Sequence, residues 1–325
     1  MTQRSSTVQR IDLSKDSELV NAANELLSRV RTADGVEAFS EGFTKELGRT
    51  SGHTYWASLD DGALSSLAAC APDGSAELAV DPSARRNGNG TSLAEAVLAA
   101  RPDAGLWAHG DLPAARALAS KLSLHPTREL LVMSLDGDAL EAASGTGGTG
   151  AALPGGFEEL SYPEAVDRWG RDAVEDTWLD VNNDAFSWHP EQGGWDLAAL
   201  HDAMDTPWFD PEGVRMLWDA HSTGSGAESA TGAREAELAG FHWTKRHSVE
   251  LGEVYVVGLS SQYRGRGLGD PLMRAGLEHL AAGGSRRVIL YVEADNVPAV
   301  RRYGELGFTV AERHVVYKAS EAHEA

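Results

Sequence analysis

The feature that most constrains this chain is a pattern that occurs twice in the same order. In the first half, residues 77–80 read as a strand, 81–90 (DPSARRNGNG) as a Gly-rich turn and 91–100 as a helix. In the second half, 254–259 form the strand, 260–269 (SSQYRGRGLG) the turn and 270–282 the helix. A constant offset of 179 residues separates Gly88 from Gly267 and Gly90 from Gly269. A further strand follows in each half, at 106–109 and 288–293. Each is followed by a short helix, opened by Leu112-Pro113-Ala114-Ala115-Arg116 or Val297-Pro298-Ala299-Val300-Arg301. Both halves close on a β-rich segment, 129–134 and 313–317. Four ordered matches mark a duplication, so the chain builds one α/β unit twice. Its 325 residues are too many for one core and suit two domains. Residues 142–156 (AASGTGGTGAALPGG) have the composition of a flexible linker, which places the expected domains at 1–141 and 157–325. Residues 222–235 (STGSGAESATGARE) lie between two strand-like segments and read as a long hairpin loop.

Composition removes several function classes. A formal charge of −21 argues against nucleic acid, whose phosphates need a basic surface. No apolar run approaches the roughly 18 residues that span a bilayer, and residues 1–17 lack a signal-peptide pattern. The single cysteine, Cys70, sits in an apolar stretch and reads as packed core in a reducing compartment. A cytoplasmic monomer is expected, with no metal, membrane or nucleic-acid partner. A small anionic ligand stays open, because Arg264, Arg266, Arg301 and Arg302 supply local positive charge.

The second turn suits such a ligand. A strand entering Arg264-Gly265-Arg266-Gly267-Leu268-Gly269 and then a helix turns successive backbone N–H groups toward one point, where the helix dipole is also positive. Glycines allow the bend and a close approach of phosphate. A connection that binds nothing remains an alternative reading. A dinucleotide fingerprint fits poorly, since it needs G-x-G-x-x-G early in a βαβ unit.

Arg264, Gly267 and Gly269 fill the fixed positions of Q/R-x-x-G-x-G/A, and the motif resembles the pyrophosphate signature of the GCN5-related N-acetyltransferase family. The resemblance implies two tandem acetyltransferase domains of the α/β (mixed α+β) class, each a twisted, mostly antiparallel sheet flanked by helices. It also implies acetyl-CoA as acetyl donor and assigns its contacts. In the second half these are Val257, Gly258, Leu259, Arg264, Gly265, Arg266, Gly267, Leu268, Gly269 and Asp270, then Asn296, Val297, Pro298, Ala299, Val300 and Arg301. In the first half they are Leu78, Ala79, Val80, Arg86, Asn87, Gly88, Asn89, Gly90 and Thr91. Where the family more usually has Asp-Pro before the turn, the second half has Ser260-Ser261.

Amide formation from a thioester needs a free amine, a polarised carbonyl and a protonated leaving thiolate. An α-amino group has a reference pKa of about 7.7–8, so a carboxylate acting through one water suffices as base. Glu253, entering the strand before the turn, is the candidate base, and Tyr303 the candidate acid for departing CoA. The plainer readings are a solvated strand end and a packed tyrosine. The first half has Gly74 where Glu253 stands and Leu118 or Ala119 opposite Tyr303, so it is expected to be non-catalytic.

The segments His189-Pro190-Glu191-Gln192-Gly193-Gly194-Trp195, Gly240-Phe241-His242-Trp243-Thr244-Lys245 and Tyr291-Val292-Glu293-Ala294-Asp295-Asn296 suit a polar, sugar-like acceptor. Together they resemble a two-domain branch of the same family that acetylates the cysteinyl amine of a cysteine–glucosamine–inositol conjugate. This implies acceptor contacts from Glu41, Glu191, Lys245, Glu253 and Tyr291. Other small-molecule amines, a protein N-terminus, or a sensor that binds acetyl-CoA without turnover are the rival readings.

Overall fold

The computed structural model describes residues 7–60, 62–145, 153–187, 192–220 and 237–320. The chain divides into two compact units that interleave in sequence. The first comprises residues 1–131, 293–296 and 312–325, and the second 132–292 and 297–311.

In chain order the elements are β1 (Gln9–Ile11), α1 (Ser17–Asp34), α2 (Glu41–Glu46), β2 (Thr54–Asp60), β3 (Ala63–Cys70), β4 (Ser75–Val80), α3 (Asn89–Ala100), β5 (Gly105–Ala108), α4 (Pro113–Lys121) and β6 (Leu124–Asp136). There follow α5 (Gly137–Ser144), β7 (Phe157–Ser161), α6 (Tyr162–Trp169), α7 (Arg171–Ala185), α8 (Leu197–Met204), β8 (Val214–Asp219), β9 (Glu237–Arg246) and β10 (Leu251–Leu259). Last come α9 (Gly269–Ala282), β11 (Arg287–Glu293), α10 (Val297–Glu305) and β12 (Thr309–Ala319).

The first unit's sheet runs β1-β2-β3-β4 antiparallel, and β5 joins β4 in parallel. On the far side of β5 lies β12, with Val315 opposite Ala108 and Tyr317 opposite Leu106. The closing strand of the chain therefore completes the sheet of the opening unit. A cut at residues 142–156 would not reproduce these units, because 312–325 group with the first half and 132–144 with the second. In the second unit β7, β8, β9 and β10 form an antiparallel run, and β11 joins β10 in parallel. β8 and β9 pair antiparallel, and residues 222–235, expected as a hairpin loop, lie outside the described residues.

Local signals explain the elements. Asp16 caps α1 by accepting from the N–H groups of Glu18 and Leu19, and Gly35 ends it in the left-handed region at φ 73°. Between them Ala23, Leu26, Leu27 and Val30 recur at helical spacing and are buried. Cys70 is buried at the end of β3. In the second unit Trp178 of α7 meets Phe241 and Trp243 of β9 at ring distances of 5.6 and 5.2 Å. Full burial of each such side chain contributes about 2–3 kcal/mol. On the opposite face of the same strand His242 lies fully buried under α9, its Nδ1 bonded to the Leu272 carbonyl at 3.1 Å. Gly276 makes this possible, since a β-carbon there would sit 2.2 Å from the His242 ring. Among the described residues no helix is long and apolar enough to cross a membrane.

Candidate active site

In the second unit β10 is paired on both edges only over its first half. β11 accompanies it from Leu251 opposite Arg287 to Val254 opposite Leu290 and then diverges. β9 stays with it to Leu259, with a bulge between Val254 and Val256. From residue 255 onward, the backbone groups of β10 that face away from β9 have no strand partner among the described residues. Such groups are strong donors and acceptors for a ligand laid along the strand. In the first unit β4 and β5 part even sooner, after Ala76 opposite Leu106, but β4 carries no bulge.

The strand then enters the Gly-rich turn. Gly265 and Gly267 have φ of 76° and 77°, and a β-carbon on either would meet nothing within 4 Å. The concave side of the bend is therefore open backbone. No side chain caps α9, so the amides of Gly269 and Asp270 are free of the usual intrahelical partner, while Pro271 has no N–H. These features together make an anion cradle. The first unit repeats the bend at the same offset, with Arg86 at φ 65° and Gly88 at 89° before an equally uncapped α3. A non-glycine residue in that region is strained, which marks how strictly the duplication kept this backbone shape.

The departure at Ser260-Ser261 has a local explanation. In the first unit Asp81 occupies the equivalent position, and its carboxylate accepts from Ser83 N–H at 2.9 Å. In the second unit a residue distant in sequence does this work: Asp184, near the end of α7, accepts from Ser261 N–H at 2.5 Å. That bond holds the Asp184 carboxyl below its ordinary pKa range.

The remaining cofactor candidates take varied surroundings. Val257 and Leu259 pack with Leu268 and Leu272, whereas Gly258 points to the other face, where a β-carbon would meet Ala185, Phe186 and Phe241 at 3.2–3.3 Å. The Arg266 guanidinium lies 4.7 Å over the Tyr263 ring. Asp270 forms an ion pair with Arg302 of α10, which ties that helix to the start of α9. Arg301 pairs with Glu305, and Val297 is exposed. Pro298, Ala299 and Val300 share α10, none of whose residues is buried. Asn296 precedes α10, groups with the first unit, and donates its N–H to the Glu293 carbonyl. In the first unit Leu78, Ala79 and Val80 end β4. Asn87 adjoins the bend, Asn89 is buried and bonds the Ala84 carbonyl, and Thr91 accepts from Lys121. A β-carbon at Gly90 would meet Val80 and Leu118. Arg85, the counterpart of Arg264, is committed to Asp34 through two bonds of 2.7 and 2.8 Å.

Sheet parity gathers three acceptor candidates. Glu253 stands opposite Lys245 of β9 and Ile289 of β11, and register partners project to one face. Tyr291, two residues beyond Ile289, shares that face. Glu253 is 5% exposed, so it is a buried carboxylate rather than a solvated strand end. It is the third residue of β10, which begins at Leu251. The Lys245 ammonium lies 4.7 Å over the Trp208 ring and 5.6 Å from that of Tyr255. Asn183 of α7 accepts from Trp195 N–H and donates to its carbonyl, both at 2.8 Å, which holds Trp195 against α7. Glu191 itself lies outside the described residues. Glu41 opens α2 in the first unit, where Lys45 pairs with it at 3.0 Å.

Tyr303 is half-buried on α10, with its ring 6.0 Å from that of Phe308. Burial raises its pKa, so the phenol keeps its proton at neutral pH.

Sequence reasoning missed several polar partners. His247 meets Glu253 with Nε2 2.5 Å from Oε2. In the first unit Glu77, 2% exposed, accepts from Ser40 N–H and faces His109 Nε2 at 2.9 Å. His109 Nδ1 in turn lies 3.1 Å from Nδ1 of His314 on β12, which also receives the Gly110 N–H. Burial, and next the neighbouring His109, lower the His314 pKa to about 4. No local spacing signals these contacts, because each depends on which strands lie side by side.

Comparison with known proteins gives the family and the fold. Residues 195–308 match the acetyltransferase (GNAT) family. The chain is 50% identical over 303 residues to a mycothiol acetyltransferase of Corynebacterium efficiens, covering 93% of each chain. It is 44% identical to one from Corynebacterium glutamicum, covering 97% of this chain and 99% of the relative. Among solved structures it is similar to a tandem GNAT protein from the clavulanic acid biosynthesis pathway. That pair has a TM-score of 0.65 and 18% identity, covering 96% of this chain and 98% of the other. A GCN5-related N-acetyltransferase from Sphaerobacter thermophilus gives a TM-score of 0.64 at 19% identity, covering 95% and 94%. These two likenesses carry the fold, and the corynebacterial relatives carry the family. The chain is an acyltransferase with the tandem GNAT fold and belongs to the mycothiol acetyltransferase family.

Proposed function

We propose that the chain transfers the acetyl group of acetyl-CoA to the cysteinyl amine of cysteinyl-glucosaminyl-inositol, giving mycothiol. One observation carries the reading. β10 loses its parallel partner at Val254, one residue past the buried Glu253, and then runs into an uncapped glycine bend. A thioester laid along the free edge, with its diphosphate in the bend, would present its carbonyl close to that carboxylate. The names of the corynebacterial relatives support the choice of acceptor.

In this mechanism the amine nitrogen attacks the thioester carbon, the C–N bond forms and the C–S bond breaks. Glu253 takes the amine proton through one water, and a backbone N–H on the open edge of β10 stabilises the developing oxyanion. Tyr303 gives its proton to the departing thiolate. Lys245 and Tyr291, on the face that carries Glu253, hold the polar acceptor. The first unit keeps the bend, but the repeat alignment puts Gly74, and Leu118 or Ala119, in place of the proton-handling pair. We read it as an acetyl-CoA-binding unit without turnover.

The test is a panel of amines incubated with acetyl-CoA and followed by product mass. The cysteinyl conjugate should be preferred by orders of magnitude over an aminoglycoside or a peptide N-terminus. A flat preference would sink the assignment of acceptor, and no acetylated product from any amine would sink the enzyme reading of this site.

A further inference from the structure

At neutral pH an α-ammonium must lose two protons to become an amide nitrogen, and the leaving thiolate takes up one. One proton therefore has to leave a site whose base is 5% exposed. Among the described residues, one side chain hydrogen-bonded to that base also reaches water. His247 Nε2 lies 2.5 Å from Glu253 Oε2, and the imidazole is 32% exposed while the Glu253 side chain is 7% exposed.

The contact is built into the β9–β10 hairpin. His247 N–H and Ser248 N–H both donate to the Leu251 carbonyl, at 3.0 and 3.3 Å, and Leu251 N–H returns a bond to Ser248 Oγ at 3.1 Å. This turn fixes the ring over the carboxylate two residues into β10. The other charged groups around the pair have their own engagements. Lys245, opposite Glu253, lies over Trp208, and Arg246 bonds the carbonyls of His279 and Leu280 on the other face. Glu250 in the turn pairs with Arg286 at 3.6 Å. The β11 partner of Glu253 is the apolar Ile289.

We propose that His247 is a positioning residue for Glu253: it holds Oε2, leaves Oε1 to the acceptor, and returns to solvent the proton that the carboxylate collects in each turnover. The proposal rests on Glu253 being the base of the reaction described above. The proton balance needs no further reactant. The amine proton passes by water to the carboxylate, the pair holds one proton more, and the exposed imidazole releases it to bulk water.

His247→Ala and His247→Gln test this beside Glu253→Gln, with kcat and KM measured from pH 6 to 10 and folding followed by melting temperature. His247→Ala should lower kcat by about 10- to 100-fold at pH 7, leave the KM for acetyl-CoA unchanged, and recover toward wild type above pH 9. Added imidazole should restore part of the loss. His247→Gln keeps a donor to Oε2 but cannot carry a proton, so it should fold normally and remain slow. The double variant with Glu253→Gln should be no slower than Glu253→Gln alone, because the two act as one unit. A wild-type pH profile in His247→Ala, full activity in His247→Gln, or multiplicative losses in the double variant would overturn the proposal. If Glu253→Gln is itself fully active, the base assignment fails instead, which separates the two outcomes.

Discussion

Replacing Glu253 by glutamine removes one negative charge at a buried position and keeps the shape. The amide can still accept the hydrogen bond from His247, so folding should be little disturbed. General-base catalysis contributes about 10²- to 10⁴-fold, or about 3–5 kcal/mol of barrier. Part of that loss should depend on pH in a calculable way. With an amine pKa of about 7.7–8, only about one acceptor in six to ten is unprotonated at pH 7, and nearly all are at pH 9. The variant must wait for the free amine, so raising the pH to 9 should return about tenfold of the deficit. The rest should persist, because the nitrogen still carries a proton after attack and Glu253, being 5% exposed, has no water of bulk character to replace it. The KM for acetyl-CoA should not move, since the glycine bend proposed to hold its diphosphate lies at the other end of β10. A thiol reagent is unsuitable because the proposed acceptor carries its own thiol; the assay should follow loss of thioester absorbance or product mass. A rate within about twofold of wild type at pH 7 would refute the role of Glu253.

Tyr303→Phe should slow turnover by about 10-fold or more while leaving both KM values near wild type, and an unchanged rate would reduce the phenol to packing against Phe308. Gly267→Ala puts a β-carbon into the open side of the bend at φ 77°, a strain of about 1–2 kcal/mol, so the KM for acetyl-CoA should rise by about 5- to 30-fold. A KM for acetyl-CoA that stays put would mean that the bend does not wrap the diphosphate. Burial lowers the His242 pKa to about 4, so below pH 6.5 the unfolded chain binds a proton that the fold refuses. Its contribution is complete above pH 6.5 and falls away by about 3 kcal/mol as the pH drops to 4. His242→Gln should flatten that acid limb in denaturant titrations, and an identical pH dependence would contradict the burial argument.

The repeat was legible because its marks are local. Glycines recur at fixed offsets, and the two bends share their backbone angles even where Arg86 replaces a glycine. The helices after the two bends begin within two residues of expectation, at Asn89 and Gly269, whereas β10 starts three residues early at Leu251 and β6 and β12 run well beyond 129–134 and 313–317. Glu253 and Lys245 could be named, but their shared face depends on the register of β9 against β10, which no single segment encodes. The same holds for His247, whose partner is set by the hairpin turn. Asp184 was illegible as a cap because it acts across 77 positions of sequence. The placement of β12 was equally hidden. Its pattern says strand, but only the free edge of β5 says where that strand goes.

That placement has a consequence for biosynthesis. The edge of β5 waits for β12, about 200 residues further along, so the opening unit stays unfinished until residues 309–319 have been made. An exposed strand edge invites pairing with the wrong neighbour while it waits. A nascent chain stalled near residue 156, or a protein clipped near residue 311, should therefore fail in the unit that holds β1–β5, far in sequence from where it was interrupted.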